Sequence, residues 1–377
     1  MSPEKNNSFN YLFISNTDFE KNKLTGAHRR FIELVMGAAK KSKVLVLSNY
    51  IPQLENEECK KNITFSYLNK TGYVFFPYHI KTLFKLVYKL ISLKPIAFKH
   101  AIAFGPIQTV AYWLAGYHNI ISLFRENLIG YSIACNNNKY KEFYLRLQEI
   151  LAVRASKKII VQCNNDKIDL IERTKKYCKT IEKKIVVQTN NCNASWMKKE
   201  AHHGVTYNNI PKILFVGDFS SPRKGHQLII PAVAKLLDED IKCELYVCGD
   251  GISKNEWQKK YNRYKQIKFC GYVKTDDYLR LCDFMVVPSM IDSCPNTILE
   301  ALNAGLAVYG TNTGGIPEQL LSSNFMFNPD LNSLYIFLKR IIINKSYIND
   351  SLIQKNNKRN LTFDWSARIL NNIETYT

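Results

Sequence analysis

Residues 288–318 read PSMIDSCPNTILEALNAGLAVYGTNTGGIPE, and their reading decides the fold. A strand ends at Val287-Pro288-Ser289, a loop carries Asp292, and a helix begins near Pro295-Asn296-Thr297. Proline is favoured in a first helical turn, where the N–H groups lack partners within the helix and can bind anionic oxygens. Glu300 follows Asp292 by eight positions, in the first turns of that helix. A carboxylate so placed can accept a pair of hydroxyl hydrogen bonds, as a ribose offers. Ala307–Gly310 reads as the next strand, and Gly314-Gly315 as a loop able to approach a ligand closely. Taken singly, Asp292 and Glu300 are ordinary surface acids. The whole constellation reads as a binding site.

Upstream, the pattern repeats. KILFVGD starts a buried strand at Lys212, Leu228–Leu237 is helical, and Cys243–Cys248 is a strand that ends in Gly249-Asp250-Gly251. Ile267–Cys270, Asp276–Cys282 and Phe284–Pro288 continue as strand, helix and strand. The first half opens similarly, with strands at Tyr11–Ser15 and Val44–Ser48 around a helix bearing Phe31, Ile32, Leu34, Val35 and Ala38. A helix over Leu145–Ala155 precedes a strand at Lys158–Gln162, and the Asn-rich stretch from Val187 to Asn209 reads as a boundary. Strands alternating with helices predict an α/β protein of two doubly wound domains with a cleft between them.

At 377 residues, two domains are also what length predicts. With 46% hydrophobic and 22% charged residues the chain can bury a core, so a disordered or low-complexity class is excluded. The 10 Cys show no CxxC and no Cys/His cluster, so they read as reduced, mostly buried thiols rather than a zinc module or disulfide framework. Net charge is +20, placed unevenly: residues 1–205 carry 32 Lys and Arg against 15 Asp and Glu, a balance of +17. Such a charge favours nucleic acid, anionic lipid or a phosphate-bearing ligand.

The amino terminus lacks a basic region followed by a long apolar run, so no signal peptide is expected. Ala101–Phe124 contains no Asp, Glu, Lys or Arg and is long enough to span a bilayer, but Gly105-Pro106, Gln108, Gly116, His118 and Asn119 interrupt it. It divides better into a strand, a helix from Pro106 to Ala115, and a strand at Ile120–Phe124. Just before it, HIKTLFKLVYKLISLK (79–94) sets Lys81, Lys85 and Lys89 in one stripe, with Leu83, Phe84, Leu86, Val87, Leu90 and Ile91 largely elsewhere around the helix. That pattern fits an anionic membrane surface.

Residues 211–320 resemble the GT-B fold, retaining glycosyltransferases of family 4, the group 1 type. ILFVGDFSSPRKGHQLI, CELYVCGDG, KFCGYV, YLRLCDFMVVPS and LEALNAGLAVYGTNTGGIPE are similar to that family's blocks and stand in its order. Its acidic pair separated by seven residues corresponds to Asp292 and Glu300, with Asp in place of the usual first Glu. In the first half, Thr25-Gly26, RASKKIIVQC and VVQTNNCN match more weakly. Phe363-Asp364-Trp365 resembles the start of the final helix, which in this fold crosses back onto the first domain.

The resemblance implies two Rossmann-like domains, residues 1–200 with 361–377 for the acceptor and 206–360 for a nucleotide sugar. Lys224 and Arg223 would face the donor diphosphate, Glu300 the ribose and Asp292 the donor sugar. Cys294, Pro295, Asn296 and Thr297 would lie near sugar and phosphate. Gly217, Gly249, Asp250, Gly251, Tyr272 and Val273 would line the nucleotide pocket, with Gly26 facing donor and acceptor. Thr25, Arg125 and Glu126 are candidates for the cleft, where the family often has a His. Asp218 stands where the family often places an Arg. No metal or cofactor is expected, and front-face substitution is, with the leaving phosphate assisting deprotonation of the acceptor. A UDP-linked hexose or N-acetylhexosamine would go to a glycan or lipid diphosphate-linked acceptor of O-antigen or capsule synthesis, at the inner face of a bacterial membrane. The rivals are an inactive nucleotide-sugar-binding relative and a basic nucleic-acid-binding protein; the second explains the charge but not the ordered blocks.

Overall fold

Continuous apolar runs such as Val44–Ser48 and Ile120–Phe124 form strands buried at every position, because helices cover both faces of a parallel sheet. The computed structural model describes residues 9–15, 26–48, 57–67, 77–94, 96–125, 127–134, 139–191, 210–357 and 362–375. They form two α/β units, each around an all-parallel sheet.

The first sheet comprises β1 (Phe9–Ser15), β2 (Val44–Ser48), β3 (Ile63–Tyr67), β4 (Phe98–Ala103), β5 (Ile120–Phe124), β6 (Lys158–Val161) and β7 (Ile185–Val187), in the order β3-β2-β1-β4-β5-β6-β7. The second comprises β8 (Lys212–Val216), β9 (Glu244–Cys248), β10 (Ile267–Gly271), β11 (Phe284–Val287), β12 (Ala307–Thr311) and β13 (Met326–Phe327), in the order β10-β9-β8-β11-β12-β13. Strand order reverses between β1 and β4 in one and between β8 and β11 in the other. Doubly wound sheets bind ligands outside the carboxyl ends of strands at such points.

The uncharged run Ala101–Phe124 is the end of β4, the helix Pro106–Leu114 and β5. Among the described residues no helix is long and apolar enough to cross a membrane. The helix Lys139–Ala155 starts six residues before the expected Leu145, and its extra turns include the Glu142–Arg146 ion pair at 2.7 Å.

The first unit also takes the chain's last segment, Asp364–Thr377. The Asp364 carboxylate caps the helix Trp365–Glu374 by accepting from the Ala367 N–H (2.9 Å), which holds that carboxyl below its usual range. Trp365 is fully buried, with the guanidinium carbons of Arg30 and Arg125 at 5.3 and 5.7 Å from its ring. Farther along, Glu374 accepts from the Tyr11 hydroxyl at 2.6 Å, which fastens the helix to β1. The boundary between the units falls at Thr189/Asn190, and residues 130–136 group with the second unit.

On one face of the first sheet the helices Pro77–Ser92, Pro106–Leu114 and Lys139–Ala155 pack side by side. Leu86 and Leu90 of the first of these are buried, as its period requires, but Phe84 and Ile91 are exposed together with Tyr88. Its apolar surface therefore extends beyond what the core covers. Its neighbours add exposed Trp113, Tyr140 and Phe143. These three helices carry seven basic residues and two acidic ones. The Lys81 side chain lies outside what is described.

Candidate active site

The reversal between β8 and β11 sets two loops side by side. After β8 the chain runs through Gly217 and Asp218 to a single turn at Pro222–Lys224, then into the helix His226–Asp238. The Ser221 hydroxyl caps that turn by accepting from the Arg223 N–H at 3.3 Å. After β11 a loop of eight residues leads to the helix Asn296–Ala304. The Met290 N–H donates to the Arg223 carbonyl (2.8 Å), which ties the two loops together.

This tie brings charges into contact. Lys224 Nζ donates to Asp292 Oδ2 at 2.6 Å, and an Arg223 guanidinium nitrogen lies 3.5 Å from the same oxygen. Asp292 is buried while both cations are only partly so, and the trio keeps one positive charge. Arg223 is also 5.8 Å from the Tyr131 ring.

Asp292 is fixed from behind. The Gly315 N–H donates to the Asp292 carbonyl at 2.9 Å, and Gly314, at φ +56°, lies so close that a Cβ there would stand 2.1 Å from that oxygen. The shorter acid therefore reaches Lys224 because its loop is clamped, which bears on the substitution of Asp for the expected Glu.

The helix Asn296–Ala304 has Pro295 as its N-cap and no side-chain cap. Its first N–H groups thus keep the polarity that attracts anions. Ile298, Leu299, Ala301 and Leu302 are buried, while Asn296, Thr297 and Glu300 share the partly exposed face. Asn190 Nδ2 donates to the Cys294 carbonyl (3.1 Å) and to Asn296 Oδ1 (3.0 Å). Asn190 and Tyr131 were not read from sequence as site residues. Asn190 sits in the stretch taken as a mere boundary, and its partners are more than a hundred positions away.

Beside this pair the ends of β8, β9 and β10 are stitched by backbone. Gly217 N–H donates to the Cys248 carbonyl (3.0 Å), Phe219 N–H to the Asp250 carbonyl (3.0 Å) and Gly249 N–H to the Gly271 carbonyl (2.8 Å). A Cβ on Gly249 (φ +153°) would lie 1.8 Å from the Gly217 carbonyl oxygen, so only glycine fits. Gly251, Tyr272 and Val273 follow directly; Tyr272 is exposed and Val273 packs partly on the core. Asp218 accepts from the Ser220 N–H (2.8 Å) and so shapes its own turn. His226, stacked on Phe219 with ring centroids 4.7 Å apart, is buried; burial pushes its imidazole below its ordinary value against the opposing pull of Asp218.

The remaining candidates belong to the first unit. Gly26 opens the helix Gly26–Ala39, and Arg125 packs on Trp365. Thr25 and Glu126 lie outside the described residues. Among the described residues no group of three or more His, Cys, Asp or Glu could hold a metal ion.

Residues 210–342 match the family model described as glycosyl transferases group 1. The chain is 30% identical over 158 residues to protein CapJ of Staphylococcus aureus, covering 40% of each, so it spans about two fifths of that relative's length. Its fold is similar to that of WaaG, a glycosyltransferase involved in lipopolysaccharide biosynthesis (TM-score 0.74, 12% identity, 97% of this chain and 99% of that one). It is also similar to Anabaena HepE in complex with UDP-glucose (TM-score 0.71, 14% identity, 97% and 100%). At such identities these two structures establish the GT-B architecture alone.

Proposed function

We propose that this chain, whose residues 210–342 belong to the glycosyl transferases group 1 family, transfers a hexosyl or N-acetylhexosaminyl group from a UDP-sugar, with retention, to a saccharide or lipid diphosphate-linked acceptor. The observation that carries the reading is the Lys224–Asp292 contact at the β8/β11 reversal, beside an uncapped helix start and Arg223. An ammonium has three donors, and Asp292 takes one, which leaves two to meet diphosphate oxygens. Arg223, with its planar fork, adds a second cation. Both oppose the negative charge that grows on the leaving nucleotide, where electrostatic stabilisation lowers a barrier most. Glu300 accepts the ribose hydroxyls, and Gly249–Gly251 with Tyr272-Val273 line the base. The departing phosphate draws the acceptor proton on the face from which it leaves.

UDP-glucose in HepE supports a uridine donor, and WaaG's role in lipopolysaccharide biosynthesis supports a surface-polysaccharide acceptor. The acceptor falls to the basic first unit. The three adjacent helices with Phe84, Tyr88, Trp113, Tyr140 and Phe143 exposed among lysines give it a face suited to an anionic bilayer, since aromatic rings settle at headgroup level and lysines meet anionic lipid. The enzyme then works as a peripheral protein at the membrane's inner surface, with no metal or cofactor required.

A panel of nucleotide sugars tested by thermal shift, followed by turnover with the one that stabilises, decides the matter. A UDP-sugar should raise the melting temperature, and Lys224→Ala and Glu300→Ala should cut transfer by about 10²–10³. Transfer that survives both substitutions removes these residues from the reaction; a panel without any shift removes the donor.

A further inference from the structure

Three thiols converge behind the stitched loops. Cys248 ends β9, Cys270 is the penultimate residue of β10, and Cys282 follows the helix Asp276–Leu281. Cys248 and Cys282 are buried, Cys270 is partly exposed, and none of the three is in a disulfide. The pairing of β9 with β10 runs Lys268 with Tyr246 and Phe269 with Val247, then skips to Gly271 with Cys248. Cys270 is thus the extra residue of a bulge, level with Cys248 on the neighbouring strand.

Both side chains share one face. Lys268 Nζ donates to the Tyr246 hydroxyl (2.9 Å), Tyr278 packs on Tyr246 with ring centroids 6.0 Å apart, and the Cys270 thiol donates to the Lys268 carbonyl (3.4 Å) with Cys248 and Tyr278 beside it. Neighbouring strands lie about 4.8 Å apart, inside the roughly 4.4–6.8 Å window between Cα atoms that a disulfide spans.

We propose that Cys270 and Cys248 form a peroxide-sensitive thiol pair whose disulfide alters the glycine loops that follow both residues. The Cys270 thiolate attacks one oxygen of a hydroperoxide and the O–O bond breaks. Water or an alcohol leaves with the proton, and Cys270 is left as a sulfenic acid. The Cys248 sulfur then attacks the Cys270 sulfur, the S–O bond breaks, and water leaves with the Cys248 proton. Two thiols lose two electrons and the peroxide gains two.

The environments divide these roles. Cys270 is the more accessible of the two, and hydrogen bonds from Cys248 and Tyr278, helped by the Lys268 charge, hold its thiol below the ordinary range against the opposing effect of partial burial. Cys248 is raised, by its bond to Cys270 first and by burial next, so it stays a thiol until its neighbour is oxidised. The consequence for ligand follows from position. Cys248 precedes Gly249 and Cys270 precedes Gly271, and the Gly249 N–H donates to the Gly271 carbonyl. Drawing the two sulfurs to bonding distance changes the spacing on which that hydrogen bond depends. This last step rests on the nucleotide-site reading above; the thiol chemistry does not.

The test treats reduced, full-length protein with hydrogen peroxide at pH 7 and maps the peptides. The expected product is a Cys248–Cys270 linked peptide that dithiothreitol reverses, formed faster than oxidation of the partly exposed Cys178. Cys248→Ser should stop at a dimedone-trapped Cys270, and Cys270→Ser should leave Cys248 unreacted. Oxidation of Cys178 first, with Cys248 and Cys270 still thiols, overturns the pair. UDP thermal shift before and after oxidation then tests the loops, with a smaller shift expected in the oxidised protein. A disulfide that leaves the shift unchanged overturns the control of the loops. No UDP shift in the reduced protein overturns the site reading and leaves the pair standing.

Discussion

The two sheets reverse their strand order in the same way, yet the reversals carry opposite chemistry. At β8 and β11 the chain supplies Arg223, Lys224, Asp292 and a helix start without a side-chain cap. At β4, beside β1, it supplies Gly105 and the helix Pro106–Leu114, inside a run of 24 residues without one charged side chain. The first unit instead carries seven basic residues on three adjacent helices. Topology fixes where a ligand can sit, and the residues at the strand ends fix which ligand. The second unit gathers its charges in loops at the strand ends, as the proposed donor site requires.

The largest loss is expected at Gly249. Alanine there would press a Cβ into the Gly217 carbonyl, in a backbone conformation that L-residues avoid. Relief requires separating β8 from β9, so a loss above about 3 kcal/mol is expected, read as a fall in the second unit's melting temperature. A variant that melts like the wild type means the loops are not locked by that approach.

Asp292→Asn separates charge from packing in the second unit. The change keeps volume and clamp but removes the charge that orients Lys224, so transfer should fall about 10²-fold or more, while the melting temperature moves little. A fall in stability as large as the fall in rate marks Asp292 as a structural residue only.

For the first unit, Phe84→Ser with Tyr88→Ser should abolish sedimentation with anionic vesicles and leave the melting point nearly unchanged, since both rings are exposed. Equal recovery of wild-type protein with neutral and anionic vesicles would mean that the face has another partner.

The architecture was legible where burial is simple. Ala101–Phe124 resolved into strand, helix and strand because parallel strands covered on both faces must be apolar throughout. That Arg223, Lys224 and Asp292 lie close together was foreseeable because they stand at the ends of neighbouring strands. Asn190 was not: a polar residue in an Asn-rich stretch carries no periodicity, and its contacts to Cys294 and Asn296 exist only after the second unit folds. Which of the apolar residues of 79–94 stay exposed was not legible, because helical period reports which residues are apolar, not how wide a stripe the neighbouring helix covers. The Cys248–Cys270 adjacency depends on a one-residue bulge, which sequence does not announce.

The smallest effect expected concerns His100, on β4 next to the first reversal. Its ring is buried and stacked on Tyr11 at 5.5 Å, and among the described residues neither ring nitrogen has a hydrogen-bond partner. Burial, aided by Lys99 and Lys157 and opposed by Glu374, lowers it to about 4 from an ordinary 6.5. Below 6.5 the unfolded chain takes up a proton that the folded unit refuses until about 4, so stability falls as pH drops through that window and is unaffected above it. The loss should be on the order of 1 kcal/mol at pH 5. His100→Phe keeps a ring against Tyr11 and removes the titration, so its urea midpoint should decline less between pH 7 and 5 than the wild type's. Parallel declines would assign the acid sensitivity of the first unit to its carboxylates.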